Sequence, residues 1–459
     1  MIHGATGQPG SGSIVSSGQT QYVSSGATSG ATVEPRGTQD VLLSGSAVAT
    51  VLSGAEQYVC SGGTAIGTTL DDDSREVVTS GGTAIGATVN SGQMIVSAGG
   101  VASYTTVNGV SGESNGGSIY IGSGGTASFT TVNDSASEHV DNSGSAVSTT
   151  LNSGARQQVW SGGAADATTV GGGATESVDS GGTTSNTTIA SGGLVTVYGG
   201  TAIGTTVESG GELLLLAGSA SGTVVQPGGT AISTGIVLFG EGSGPVFLGS
   251  AATGTVVTDN ITEYVLSGGS AVAATVSGGT QFVAGSAVST IVTFGGTQNV
   301  EAGGTATRTS VNSFGSQFVT SGGTATSTLV NGYGSQSVTS GGTALDTCVG
   351  GGGEQDILAG GTALDTSVSD GGEQYVSGGI AVGTTMSGGG ASVFAGGIAS
   401  DTTVDDGYLY VGASGTATGT TLNGDSTLGV MSGGSAFATT IGADGSRTSG
   451  PPGRATGQR

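Results

Sequence analysis

One unit recurs along almost the whole chain. Its clearest copies read SGGTAIGTTL over 61–70, SGGTAIGATV over 80–89 and SGGTALDTCV over 340–349. Aligned on the residue before the recurrent Ala, 22 copies fall between Ala27 and Ser435. Of the 21 intervals, 18 are 18 or 19 residues long. The exceptions are 25 (Val101 to Thr126), 32 (Ser219 to Ala251) and 16 (Ser270 to Ser286). A unit this short buries its apolar face only by stacking on its like.

Two strand patterns are visible in each copy. The first ends in Thr-x-Val, as in Thr68-Thr69-Leu70 and Thr402-Thr403-Val404. Its last position is aliphatic or Met in all 22 copies, and the Thr gives way only to Ala31, Ala87 and Ala274. The second pattern is Gln-x-Val, as in Gln57-Tyr58-Val59 and Gln374-Tyr375-Val376. Side chains alternate faces along a strand, so the repetitive outer positions point inward and the variable middle one outward. Buried polar groups need partners. The inward Thr are therefore expected to bond to Thr above and below, and the inward Gln to stack as a ladder. Gly-Gly, Ser-Gly-Gly and Asn-x-Gly mark the corners, since Gly tolerates positive φ. The reading is all-β: a parallel β-solenoid, or β-helix, of about 22 rungs of 18–19 residues. Its expected bounds are 18–442, after an irregular segment 1–17 and before a disordered tail 443–459.

Composition supports a fold over disorder. Gly supplies 97 of 459 residues, but Pro only 6, and 34% of residues are hydrophobic and recur in phase. Disorder pairs low hydrophobicity with dense charge and Pro. The net charge is −24, from 31 acids against 7 Arg and no Lys. That excludes nucleic acid as a partner, because phosphate binding needs clustered cations. Cys60 and Cys348 lie too many repeats apart for the ~7 Å that a disulfide allows. No basic n-region and no apolar run long enough for a membrane helix is visible.

No catalytic, cofactor-binding or metal-binding set is found. His3 and His139 stand alone, no Cys/His spacing fits zinc, and there is no phosphate-loop lysine. Asp346, Asp365 and Asp401 share one outward column, but exposed acids on adjacent rungs are the simpler reading. Candidate surface contacts are the outward aromatics Tyr22, Tyr58, Phe282, Phe318 and Tyr375 of the Gln-x-Val middle column, with Trp160 just past it. Two stretches break the period: 108–118 and 234–247. Insertions of this kind map to loops on one face and often to binding. The second is open to another reading, an extra rung at Thr230-Ala231-Ile232.

The unit S-G-G-T-A-x-x-T-x-V-x-x-G-G-x-Q-x-V resembles the strand-loop-strand repeat of autotransporter passenger domains, and most nearly the self-associating, AIDA-type adhesins. The resemblance covers roughly residues 18 to 442. It implies a right-handed solenoid on the bacterial outer surface, secreted through an outer-membrane translocator. The implied role is non-enzymatic: adhesion to a host or abiotic surface receptor, and self-association in aggregates and biofilm. It further implies a heptosyltransferase partner acting on Ser. Ser61, Ser80, Ser161, Ser321 and Ser340, at the corners, are then the candidate O-glycan acceptors. No translocator barrel is visible in this sequence. The alternative function is a carbohydrate-binding or carbohydrate-active β-helix.

Overall fold

The computed structural model describes residues 12–79, 81–109, 116–240, 243–369, 371–442, 446–449 and 454–458. The described residues form strands and turns and no helix. The strands stack in parallel as a β-solenoid of about 22 turns. The chain divides into two compact units, Met1–Ser233 and Thr234–Arg459.

Each turn contains three strands where two were expected. A turn of the first unit runs Glu56–Val59, Thr64–Ile66, Thr69–Asp71. The next runs Arg75–Val78, Thr83–Ile85, Thr88–Val89. Register pairs Gln57 with Glu76, Ala65 with Ala84 and Leu70 with Val89. The supposed single strand ending in Thr-x-Val is thus two strands, broken at a residue with positive φ. That residue is Gly67 in one copy, and Tyr104, Phe129 or Arg308 in others. No fixed residue type marks this bend, so the sequence gives it no turn signature. The break lets the small inward Ala form a third side to a narrow core.

The core is one residue deep per strand. Val59, Ala65 and Leu70 are fully buried, as are their counterparts Val319, Ala325 and Val330 in the second unit. The inward polar groups pair differently from expectation. Among the described residues inward Thr does not bond to the Thr of the turn above or below: the Thr68 hydroxyl donates to Gln57 Oε1 at 3.0 Å, eleven residues back in the same turn. Gln57 Nε2 in turn donates to Gln39 Oε1 at 2.5 Å. The cross-section has the Gln-x-Val and Thr-x-Val walls facing each other, so Thr meets Gln across the core. In the second unit the chain Gln281–Gln298–Gln317–Gln336–Gln355–Gln374 is unbroken, with Nε2 to Oε1 distances of 2.7 to 2.9 Å.

The first unit shows parallel pairing from Ile14–Val15, inside the segment 1–17 expected to be irregular. It closes with Thr230–Ile232 paired in parallel to Glu212–Leu214. The extra rung read at this position is thus a single strand, of the Gln-x-Val type. The stretch 234–247 is not a free loop. Ile236–Gly240 runs antiparallel to both Ser243–Gly249 and Ile261–Val265. This hairpin covers the first parallel Gln-x-Val edge of the second unit, an edge that otherwise invites pairing. Parts of the tail also pair: Ser446–Ser449 with Thr427–Val430, and Arg454–Gln458 with the strand Ser435–Ile441. An open strand edge offers backbone partners to any extended segment, whatever its side chains.

Candidate functional site

The outer face of the Gln-x-Val sheet is built from the variable middle positions, one per turn. In the first unit the register sets Tyr22, Asp40 and Tyr58 in sequence. Tyr22 is exposed, and Tyr58 donates its hydroxyl to Glu56 Oε2 at 2.8 Å. In the second unit Asn299 separates Phe282 from Phe318, and Ser337 and Asp356 separate Phe318 from Tyr375. No two of the six candidate aromatics stack on each other.

Other stacks form instead. Tyr120, His139 and Trp160 lie on three successive turns, with ring centroids 4.6 Å and 5.0 Å apart. Tyr264 stacks on Phe282 at 5.2 Å. Corner positions carry two further pairs, Tyr104 with Phe129 at 5.0 Å and Phe314 with Tyr333 at 5.6 Å. All four of these corner rings are more than half exposed and sit at positive φ. Tyr120 and Tyr264 are hidden in the sequence because Tyr120 lies inside the 25-residue interval and Tyr264 follows the 32-residue one, so neither column can be counted. His139 is not the isolated surface residue it looked like. Burial lowers its pKa, so the ring stays neutral at pH 7, and Nε2 pairs with Ser137 Oγ at 3.2 Å.

A second ladder runs along the corner after Thr-x-Val. Asn152 donates to Asn133, Asn133 to Asn108, Asn108 to Asn90, and Asn90 to the Asp71 carboxylate, at 2.6 to 2.9 Å. Asp346, Asp365 and Asp401 are exposed at positive-φ bends. Among the described residues no three His, Cys, Asp or Glu gather as a metal site. Cys60 and Cys348 are free thiols.

Ser61, Ser161, Ser321 and Ser340 are exposed at the corner between the Gln-x-Val and Thr-Ala-x strands; Ser80 lies outside the described residues. The hydroxyls of Ser161, Ser321 and Ser340 lie over Gly181, Gly341 and Gly360 of the following turn. With no side chain above them, these oxygens have open space.

No family model and no curated protein matches the chain. Among solved structures, the crystal structure of a TibC-catalysed hyper-glycosylated fragment of TibA, residues 55–350, is 32% identical. The match covers 78% of this chain and 99% of that fragment. The chain is similar to TibA. The TM-score is 0.33, so the similarity is one of sequence and not of overlaid coordinates.

Proposed function

We propose that this chain is a non-enzymatic adhesin passenger displayed on a bacterial surface, exported with the help of an outer-membrane translocator. The observation that carries the reading is the repeat itself: stacked turns of one plan, with corner hydroxyls recurring every turn or so along the stack. Many weak contacts along such a face add through multivalency. The partners are a surface receptor and a second copy of the chain, giving aggregation and biofilm. TibA was crystallised in TibC-glycosylated form. By that likeness Ser61, Ser80, Ser161, Ser321 and Ser340 are the proposed acceptors for a heptosyltransferase, and Tyr22, Tyr58, Trp160, Phe282, Phe318 and Tyr375 the proposed surface contacts.

The test is clumping of beads coated with purified residues 1–459, beside blank beads, over a range of salt. The charge of −24 opposes contact between copies and is screened by salt. Clumping is therefore expected to strengthen from low to moderate salt. Clumping that weakens over that range, or its absence throughout, counts against self-association.

A further inference from the structure

The first unit holds a cavity of about 430 Å³ that the adhesin reading does not use. Its lining includes Asp73, Ser91, Gln93, Ser118, Tyr120 and Ser137. Register explains how residues so far apart in sequence meet. Gln93, Ser118 and Ser137 occupy one column on three successive turns. The same column carries Arg75 on the turn before and Arg156 on the turn after, so its uncharged stretch coincides with the cavity. Asp73 and Ser91 come from the neighbouring corner, and Tyr120 from the adjacent outward column.

We propose that this cavity binds a neutral saccharide, a mono- or disaccharide or the end of a longer glycan. Three serine hydroxyls, a primary amide and a carboxylate line one space of a size typical for small-molecule sites. Each hydroxyl and the amide both donates and accepts, and the carboxylate accepts from paired hydroxyls. That set matches a ring rich in hydroxyl groups. A phosphate or carboxylate ligand would meet Asp73 with no cation among the described lining residues. The Tyr120 side chain adds an apolar surface of the kind that packs on sugar C–H groups.

The lining is held in place before any ligand arrives. Tyr120 is fixed by stacking on His139, which Trp160 backs on its other side. The same His139 ring engages Ser137 Oγ, so one side chain positions both a ring and a hydroxyl of the cavity. Preorganised groups lose less freedom on binding. Trp160 is the one tryptophan in the chain, and it sits two stacked rings from the cavity.

The experiment is a fluorescence titration of Trp160 in the full chain, with D-glucose, D-galactose, D-mannose and their disaccharides as probes and D-glucuronate as the charged comparison. Calorimetry confirms the stoichiometry. The expected result is a saturable response to at least one neutral sugar in the millimolar range, with none to glucuronate. Asp73→Asn, a substitution suited to the positive φ of Asp73, is expected to weaken binding about tenfold. Ser137→Gln, which fills the cavity, is expected to abolish it. No saturation with any neutral sugar, tighter binding of glucuronate, or equal binding by both variants overturns the proposal. A chain that clumps beads but binds no sugar sinks this inference alone. A chain that binds sugar without clumping sinks the self-association reading alone.

Discussion

Glu76 and Met94 face each other in parallel register inside the first unit, and neither carboxyl oxygen of Glu76 has a hydrogen-bond partner. Two donors are missing at once. Met94 stands where the next Gln would donate, and Ala87 stands eleven residues on, where Thr donates in other turns. Glu76 is fully buried, and burial pushes its pKa up to about 8. Glu176, also in this column, accepts from Thr184 at 2.6 Å and is pushed by burial to about 7.

These two carboxyls make stability fall as pH rises. In the unfolded chain they ionise near 4.5, so below that value both states are protonated and nothing is lost. Above it the folded state holds protons that the unfolded state releases. Stability drops until the folded pKa is passed, by roughly 5 kcal/mol for Glu76. The urea midpoint of the first unit is expected to be lower at pH 8 than at pH 5. Glu76→Gln should remove roughly half of that difference, the rest belonging to Glu176 and to Glu138, whose pKa burial also raises. An equal pH dependence in the variant would show that Glu76 ionises freely in the folded chain.

Gln317 makes three ladder bonds. It donates to Gln298 and accepts from Gln336 and Thr328. Gln317→Ala leaves the buried Gln336 amide and Thr328 hydroxyl without their acceptor, while Gln298 keeps its bond from Thr309, and a destabilisation of about 3 kcal/mol is expected. Thermal unfolding beside Gln317→Glu separates loss of the side chain from loss of its amide: the charged variant should recover stability only at low pH.

Adjacent glycines at one corner differ in function. Gly341 has φ +76, a conformation that Asn tolerates. Gly342 has no such φ, but a Cβ there would lie 2.3 Å from the Val319 carbonyl oxygen of the turn below. Gly341→Asn is expected to cost about 1 kcal/mol. Gly342→Ala should cost several-fold more, because backbone must move. Similar melting temperatures for the two variants would contradict the close approach.

Cys348 is exposed and Cys60 is half-buried. A thiol reagent is expected to label Cys348 rapidly in the folded chain and Cys60 more slowly, and to label both alike in denaturant. Mass spectrometry of the labelled peptides reads the order, and faster labelling of Cys60 would refute the burial of its corner.

The period and the inward Val column were legible because burial holds those residues nearly constant from turn to turn, and the Gln ladder was legible in the second unit, where Gln recurs from Gln281 to Gln374. The third strand was not, since the bend before it is set by backbone geometry that Gly67, Tyr104 and Arg308 all adopt. The hairpin at 236–249 was invisible for a related reason: an apolar run such as Ile236–Phe239 states that a strand is buried but not which way it runs. Site residues were legible only where the copies stay in phase. Tyr120 lies inside the 25-residue interval, and with its column miscounted neither its stack on His139 nor its place beside Ser137 could be read.

The ladders join residues 18 or 19 apart almost without exception, Gln57 to Gln39 and Gln336 to Gln317 alike. Each new turn therefore closes a loop of the same modest length, however many turns precede it. The entropy of closure is constant per turn and does not grow with the chain. Such a molecule winds up like a spring fed from one end, each turn laid on the last. Its folding time should scale with the number of turns and not with the separation of its termini.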